Sequence, residues 1–405
     1  MRLPALAFLL AYAACAAEPA TITGKVVDLA GQPVPHATVM VHSAGAKTGY
    51  SVYCPTCYKD CGKRTVTDSE GTFTIGGLSP DLWFTLLAVK DGYSAAYVEK
   101  ADPAKGPAEP AKLKPRPVIA DASQIVRGTI VDTHGTPLKD AVVEQSGIKF
   151  KDARGVGTQF GAFNWIDQAV VTNDKGEFEI AYSKPAVAMI LELEARGMAP
   201  KLFTESTGAD RKTMTVSDGA LIRGRLMYNG KPVGNVEVGL TTQSRRSGET
   251  YQEIRIGTRD DGTFAITNVP AGRIWLLYPK MESLVARGIG ADVVPLETKD
   301  DGQEIDLGDI QLKRAYTLRG KVVLTDGKPV PPDMHLTLSA DRAWDSQIVP
   351  IASDGSFEVR ALPPGVYGIT PGVKGYTPAD GFEVEALVNK DVREYVIRMQ
   401  PQSKL

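Results

Sequence analysis

Hydrophobic and polar residues alternate along most of this chain with a period of two. Residues 21–27 and 262–266 are examples, and both segments are bounded by turn-forming residues. Such alternation is typical of half-buried β-strands. No amphipathic helix of about three turns or more is evident, so the pattern predicts an all-β fold. Asp-Gly and Asn-Gly pairs, which suit tight hairpins, occur at 229–230, 261–262, 326–327 and 354–355.

One pattern occurs four times along the chain. An apolar-x-Gly-x-apolar segment is followed by Gly-x-Pro and then by Gly-x-Phe, and the first glycines are 104, 96 and 96 residues apart. Units of about 100 residues, made of short strands and turns, indicate one β-sandwich each. The predicted domains are 18–117, 118–216, 217–315 and 316–405. The glycines that mark the four units are Gly24, Gly128, Gly224 and Gly320.

Each unit resembles the carboxypeptidase regulatory-like domain. The matching segments are 22–28, 31–34, 37–39 and 67–73 in the first unit and 362–367 in the last. The resemblance implies a carbohydrate-binding-like fold, and hence a tandem array of four Ig-like or transthyretin-like Greek-key β-sandwich domains. Domains of this family occur appended to peptidases and outer-membrane receptors and in surface proteins. Related sandwiches bind starch and other glycans, so the resemblance also implies sugar binding as one function.

The proline-rich stretch 102–117 has two interpretations. It is either a linker or, over 109–114, the last strand of the first unit, at a sheet edge where proline is tolerated.

The N-terminal segment 1–17 is predicted to be a secretory signal peptide. Arg2 is followed by an apolar stretch, residues 3–14, and then by small residues that suit cleavage. Cys15 is either discarded with this segment or carries the lipid of a lipoprotein. We therefore expect a protein that is secreted, periplasmic or at the cell surface, with membrane contact only through a lipid anchor on Cys15.

Composition and charge exclude several classes of protein. The 405 residues carry a formal net charge of −2, so a nucleic-acid partner, which needs a basic excess, is not expected. Four cysteines are too few for a disulfide-dense scaffold. The chain has no zinc-peptidase histidine pair, no Gly-x-Ser-x-Gly elbow and no phosphate-binding loop, so no enzyme activity and no required cofactor are predicted.

A loop of the first unit contains three cysteines within eight residues, Cys54, Cys57 and Cys61. One interpretation is a structural disulfide with one spare thiol. A second is a zinc site in which His42 or His36 supplies a fourth ligand, because C-x2-C-x3-C spacing offers three thiolates. A third is a redox site at Cys54 and Cys57. The sequence leaves these alternatives open.

The second unit has an aromatic insertion at about 146–168, which includes Phe160, Phe163 and Trp165. Aromatic rings on such a loop can stack on sugar faces or anchor a partner. Alternatively, they fold back over the sandwich as a small satellite core.

The expected function is that of an exported, non-enzymatic, multi-domain binding or scaffold protein of the cell envelope, with a glycan or an envelope protein as partner. The alternatives are a carbohydrate-binding protein, a metal- or redox-active cysteine site in the first domain, and an accessory subunit of a peptidase or outer-membrane receptor. Four linked sandwiches predict a rod-like chain if the contacts between domains are modest.

Overall fold

The computed structural model describes residues 19–53, 62–161, 165–242, 253–340, 343, 345–379, 381 and 384–402. Its strands fall into four groups in chain order, here named repeats 1 to 4. Repeat 1 contains β1 Ala20–Asp28, β2 Thr38–Ala46, β3 Arg64–Val66, β4 Thr72–Leu78, β5 Leu82–Val89, β6 Tyr93–Ser94, β7 Ala96–Ala101 and β8 Ala111–Pro115. Repeat 2 contains β9 Ile125–Val131, β10 Val142–Asp152, β11 Gly155–Phe160, β12 Ala169–Val171, β13 Glu177–Ala181, β14 Ala188–Glu194, β15 Lys201–Ser206 and β16 Arg211–Thr215, and a 3-10 turn precedes it at Ala122–Gln124.

Repeats 3 and 4 follow the same plan. Repeat 3 contains β17 Ala220–Tyr228, β18 Lys231–Pro232, β19 Glu237–Thr242, β20 Ile254–Gly257, β21 Thr263–Val269, β22 Arg273–Pro279, β23 Ile289–Gly290, β24 Val294–Thr298, β25 Glu304–Gln311 and β26 Lys313–Arg314. It also holds the short helix α1 Met281–Leu284 and a 3-10 turn, Val285–Arg287. Repeat 4 contains β27 Tyr316–Leu324, β28 His335–Ala340, β29 Ser346–Pro350, β30 Ser356–Leu362, β31 Gly365–Gly372, β32 Tyr376–Pro378, β33 Val384–Val388 and β34 Val392–Pro401.

Each repeat contains two main sheets with a common central arrangement, and repeat 3 has in addition a two-stranded sheet, β23-β26. In the first sheet the opening strand lies between an antiparallel partner and the last long strand, which runs parallel to it, as in β4-β1-β8 and β30-β27-β34. The second sheet is antiparallel, as in β3-β2-β5-β7 and β29-β28-β31-β33. The structure therefore confirms the predicted all-β sandwich class.

A separate apolar core fills each sandwich. In repeat 1, Ile22 and Phe73 of one sheet pack with Val39 and Leu86 of the other, and all four side chains are buried. Period-two alternation places such residues on the inner face of each strand. No strand pairing in the described ranges crosses the predicted limits of the four domains, and the limits themselves stay a prediction.

The repeated glycine lies directly opposite the repeated phenylalanine. Gly24 pairs with Phe73 in the register of β1 and β4, and a Cβ atom at Gly24 would be 2.5 Å from the ring. The same pairing occurs between Gly128 and Phe178. The two motifs read from the sequence are thus two halves of one contact, in which the ring covers a residue that has no side chain. The remaining pairs are Gly224 with Phe264 and Gly320 with Phe357.

The proline-rich stretch after β7 contains a strand. β8 pairs in parallel with β1, so that Val26 aligns with Ala111 and Asp28 with Leu113. Ala111 and Leu113 are buried in the core of repeat 1. This pairing decides between the two interpretations in favour of a strand, over residues 111–115. The predicted position at a sheet edge is wrong, because β8 lies between β1 and the short strand β6.

Contacts between repeats extend beyond neighbours in the chain. The backbone N–H of Gly257 in repeat 3 donates a hydrogen bond to the carbonyl oxygen of Ser51 in repeat 1, at 2.5 Å. Gly257 also lies so close to Tyr50 that a Cβ atom there would be 2.7 Å from the tyrosine Cβ. The loop after β2 of repeat 1 therefore contacts repeat 3 directly. A chain in which each repeat touches only the next would not contain this contact. No helix among the described residues is long and apolar enough to cross a membrane.

Candidate functional site

Several residues singled out in the sequence lie outside the described residues. They are the signal segment 1–17 with Cys15, the cysteines Cys54, Cys57 and Cys61, and Phe163. His42, Phe160 and Trp165 are described. The disulfide, zinc and redox interpretations of the cysteine loop stay predictions.

His42 lies on β2, on the face of repeat 1 that packs against repeat 2. Val41 pairs with Leu86 and Ser43 with Thr85, so His42 is the extra residue of a β-bulge. His42 lies on the same face of β2 as Met40, which packs against buried residues of both repeats, whereas Val39 and Val41 point into the core of repeat 1. The His42 side chain is 12% exposed, and its Nε2 atom lies 3.3 Å from Oε1 of Glu144.

Two glutamates of repeat 2 face His42. Glu144 lies on β10 and Glu194 on β14, and these strands pair so that Glu194 is opposite Val142 while Glu144 is opposite Glu192. All four side chains therefore share one face of the sheet. One ligand atom each from His42, Glu144 and Glu194 lie within 4.8 Å of one another.

Tyr97 orients two members of this cluster. Its hydroxyl donates a hydrogen bond to Oε1 of Glu144, and its ring lies 5.0 Å from the His42 ring, tilted by 60°. Burial and the Glu144 carboxylate raise the pKa of Tyr97 well above its usual value, so the phenol remains a donor.

A cavity of about 380 Å³ opens beside the cluster, between repeats 1 and 2. Gly62, which follows Cys61 directly in the chain, lines it together with His42 and Glu194. Four cationic side chains also contribute to its wall: Lys63, Arg64, Lys139 and Arg196.

An apolar patch and a buried ion pair hold the two repeats together around this site. Leu87 of repeat 1 packs against Val142 and Ala169 of repeat 2, and all three are buried. Beside them, Nε of Arg116 donates to both carboxylate oxygens of Asp167, at 3.0 and 2.9 Å. Burial raises the pKa of Asp167, and the Arg116 charge opposes that rise.

The two described aromatic residues of the insertion, Phe160 and Trp165, differ in their environments. Phe160, at the end of β11, is 49% exposed. Trp165 packs edge-on against Tyr182, with ring centroids 5.2 Å apart, and joins the core of repeat 2. Trp165 thus covers the sandwich, and a ligand-binding role for Phe160, Phe163 and Trp165 stays a prediction.

A second polar cluster lies between repeats 3 and 4. The Asp345 carboxylate is 3% exposed and accepts a hydrogen bond from the backbone N–H of Met281 at 3.0 Å. Lys280 contacts Glu253 at 3.0 Å nearby. Burial raises the pKa of Asp345 to about 7, against the lowering effects of the Met281 hydrogen bond and the Lys280 charge.

Sequence reasoning identified His42 and missed Glu144, Glu194 and Asp345. Glu192 and Glu194 alternate with Leu191 and Leu193, which is the ordinary pattern of a strand with one solvated face. The glutamates become part of a site only because repeat 1 packs on that face and places His42 beside them.

The comparison with protein families agrees with the fold of repeat 1. Residues 21–113 match the family model of the carboxypeptidase regulatory-like domain. Repeat 1 is therefore similar to this domain. This confirms the resemblance for that part of the chain, and domains of this kind are non-catalytic. No curated protein matches the sequence.

Several solved structures, two pilins among them, are similar to this chain. The Bacillus anthracis TIE protein is 12% identical, with 94% of this chain and 75% of that chain covered and a TM-score of 0.21. A streptococcal ancillary pilin is 11% identical, with 69% and 100% covered and a TM-score of 0.25. The minor pilin GBS52 of Streptococcus agalactiae is 13% identical, with 46% and 98% covered and a TM-score of 0.25.

Proposed function

We propose that this chain is an exported, non-enzymatic scaffold or binding protein of the cell envelope, whose sandwiches are held in a fixed arrangement. The observation that carries the proposal is the close packing of repeat 1 against repeat 2. It combines a buried apolar patch with the ion pair of Arg116 and Asp167. A junction of this kind fixes the orientation of one sandwich relative to the next, and a scaffold needs such a fixed orientation.

Two further features support the proposal. Repeat 1 matches a non-catalytic family, and the predicted signal peptide at 1–17 would direct the chain to the envelope. The contact of Tyr50 and Ser51 with Gly257 adds a second tie, between repeats 1 and 3. A binding partner would then meet several sandwich surfaces in a constant spatial relation.

Two measurements test the proposal. Small-angle X-ray scattering of the purified chain should give the profile of one rigid particle, and the profile of independently moving beads would contradict the scaffold. Fractionation of producing cells should recover the protein outside the cytoplasm with its N-terminus near residue 17, and an intact Met1 in the cytosolic fraction would contradict export.

A further inference from the structure

We propose that His42, Glu144 and Glu194 bind one zinc ion between repeats 1 and 2. The three side chains come from β2, β10 and β14, and two of them, His42 and Glu194, also line the cavity between the repeats. The site lies at the same junction of repeats 1 and 2 that supports the proposed scaffold function. Its test is the binding of a metal ion, which can fail while export and the rigid arrangement of the chain hold.

The distances suit a zinc ion. Two ligands that each lie about 2.1 Å from a tetrahedral metal are about 3.4 Å apart. Nε2 of His42 and Oε1 of Glu144 are 3.3 Å apart. The remaining donor lies within 4.8 Å of both, so a small rotation of the flexible Glu194 side chain completes a three-ligand set with one open position.

The ligand chemistry selects the class of cation. A neutral imidazole and two carboxylates carry two negative charges, which a divalent ion balances. An imidazole ligand favours zinc and neighbouring first-row metals, whereas calcium and magnesium prefer oxygen donors alone. A cation would also relieve the repulsion between Glu144 and Glu192, which are directly opposite in the sheet.

Neighbouring residues hold the ligands in place. The Tyr97 hydroxyl donates to Glu144 and its ring packs on His42, and hydrogen bonds of this kind to a ligand fix its orientation in metal sites. His42 shares the face of β2 with Met40, and this face packs against repeat 2, so the imidazole meets the two glutamates there.

The cations of the cavity wall mostly have acceptors of their own. Lys63 donates to the carbonyl oxygen of Gly76 at 3.3 Å. Arg64 pairs with Asp140 and Lys139 pairs with Asp174. The fourth cation, Arg196, lies beside Gly62.

A zinc ion at this site would connect two sandwiches, because one ligand belongs to repeat 1 and two belong to repeat 2. Its binding would therefore raise the temperature at which the junction opens. A site formed by the cysteines with His42 would lie within repeat 1 alone.

Zinc binding to the full mature chain, after treatment with a chelator, tests the site. Calorimetric titration with zinc chloride should show one ion per chain, and zinc should raise the melting temperature. E144Q, E194Q and H42Q should each weaken binding by at least about tenfold. The control variants H134Q and E297Q, which alter exposed residues of the same types, should bind like the wild type. Equal binding by all five variants would overturn the proposal.

Cobalt substitution identifies the donor atoms. The expected spectrum has visible d–d bands without thiolate-to-cobalt charge transfer, and it should be unchanged in the C54S/C57S/C61S variant. Charge transfer that is lost in this triple variant would overturn the proposal and assign the metal to the cysteines. Circular dichroism of each variant in chelator separates loss of binding from loss of folding.

Discussion

At the residue scale, the contact between glycine and phenylalanine explains why the same two motifs mark every unit. In repeat 1 the Phe73 ring occupies the space in which a Gly24 side chain would lie. The glycine is required by this close approach, and its backbone remains that of a regular strand.

Gly24→Ala tests this contact. The added methyl group would overlap the Phe73 ring, so we expect a loss of about 1–3 kcal/mol in the free energy of unfolding. Urea denaturation measures the change. Gly45→Ala is the control, since nothing lies within 4 Å of a Cβ atom at Gly45. Equal losses in the two variants would contradict the explanation.

The buried carboxyl group of Asp345 makes the stability of the folded chain depend on pH. Its pKa is about 7 in the folded chain and about 4 in an unfolded one. The folded chain therefore binds more protons between these two pH values, and the free energy of unfolding falls as the pH rises through that window. The destabilisation is complete above about pH 7 and absent below about pH 4.

Asp345→Asn removes this titration. An amide oxygen still accepts from the Met281 N–H, so the variant should melt at a higher temperature than the wild type near pH 8 and at a similar temperature near pH 4. Thermal melts at both pH values measure the difference, and the exposed residue Asp300, changed to Asn, serves as the control. A difference between variant and wild type that does not depend on pH would refute the assignment.

At the scale of elements, the sequence predicts strands well and their partners only in part. Period-two alternation and the turn pairs locate β1 and β21, and the proline-rich stretch leaves the strand β8 as one of two alternatives. Proline is compatible with β8 because Pro110 precedes the strand and Pro115 is its last residue, so the residues between them keep their backbone N–H donors.

The candidate metal site shows where prediction from sequence ends. His42 was identified through its proximity to the cysteines in the chain, whereas Glu144 and Glu194 are about 100 and 150 residues away from it. The register of β10 with β14 brings the two glutamates together. The docking of two sandwiches then places them against His42, and neither step leaves a local signal in the sequence.

At the scale of the whole molecule, junctions decide how the sandwiches are arranged. The Asp167 side chain is 1% exposed, so its charge depends on Arg116. Removal of one partner of a buried ion pair leaves an uncompensated charge, which costs more than removal of both.

Arg116→Ala should therefore destabilise the junction by about 3 kcal/mol, and Arg116→Ala with Asp167→Asn should lose less. Hydrogen exchange of the segments that flank the junction should rise in the single variant and partly recover in the double variant. Arg154→Ala, at a side chain 93% exposed, is the control. If the amide hydrogens of the double variant exchange faster than those of the single variant, the ion pair is not what stabilises the junction.

The parallel pairing of the first and last long strands has a mechanical consequence. In each repeat the chain enters at the start of one strand and leaves at the end of its parallel neighbour. Tension applied to the two ends therefore slides the strands past each other, and their hydrogen bonds are loaded together instead of being unzipped in turn. Resistance to stretching should be greater in repeat 4, where β27 and β34 pair at six positions, than in repeat 1, where β1 and β8 pair at three.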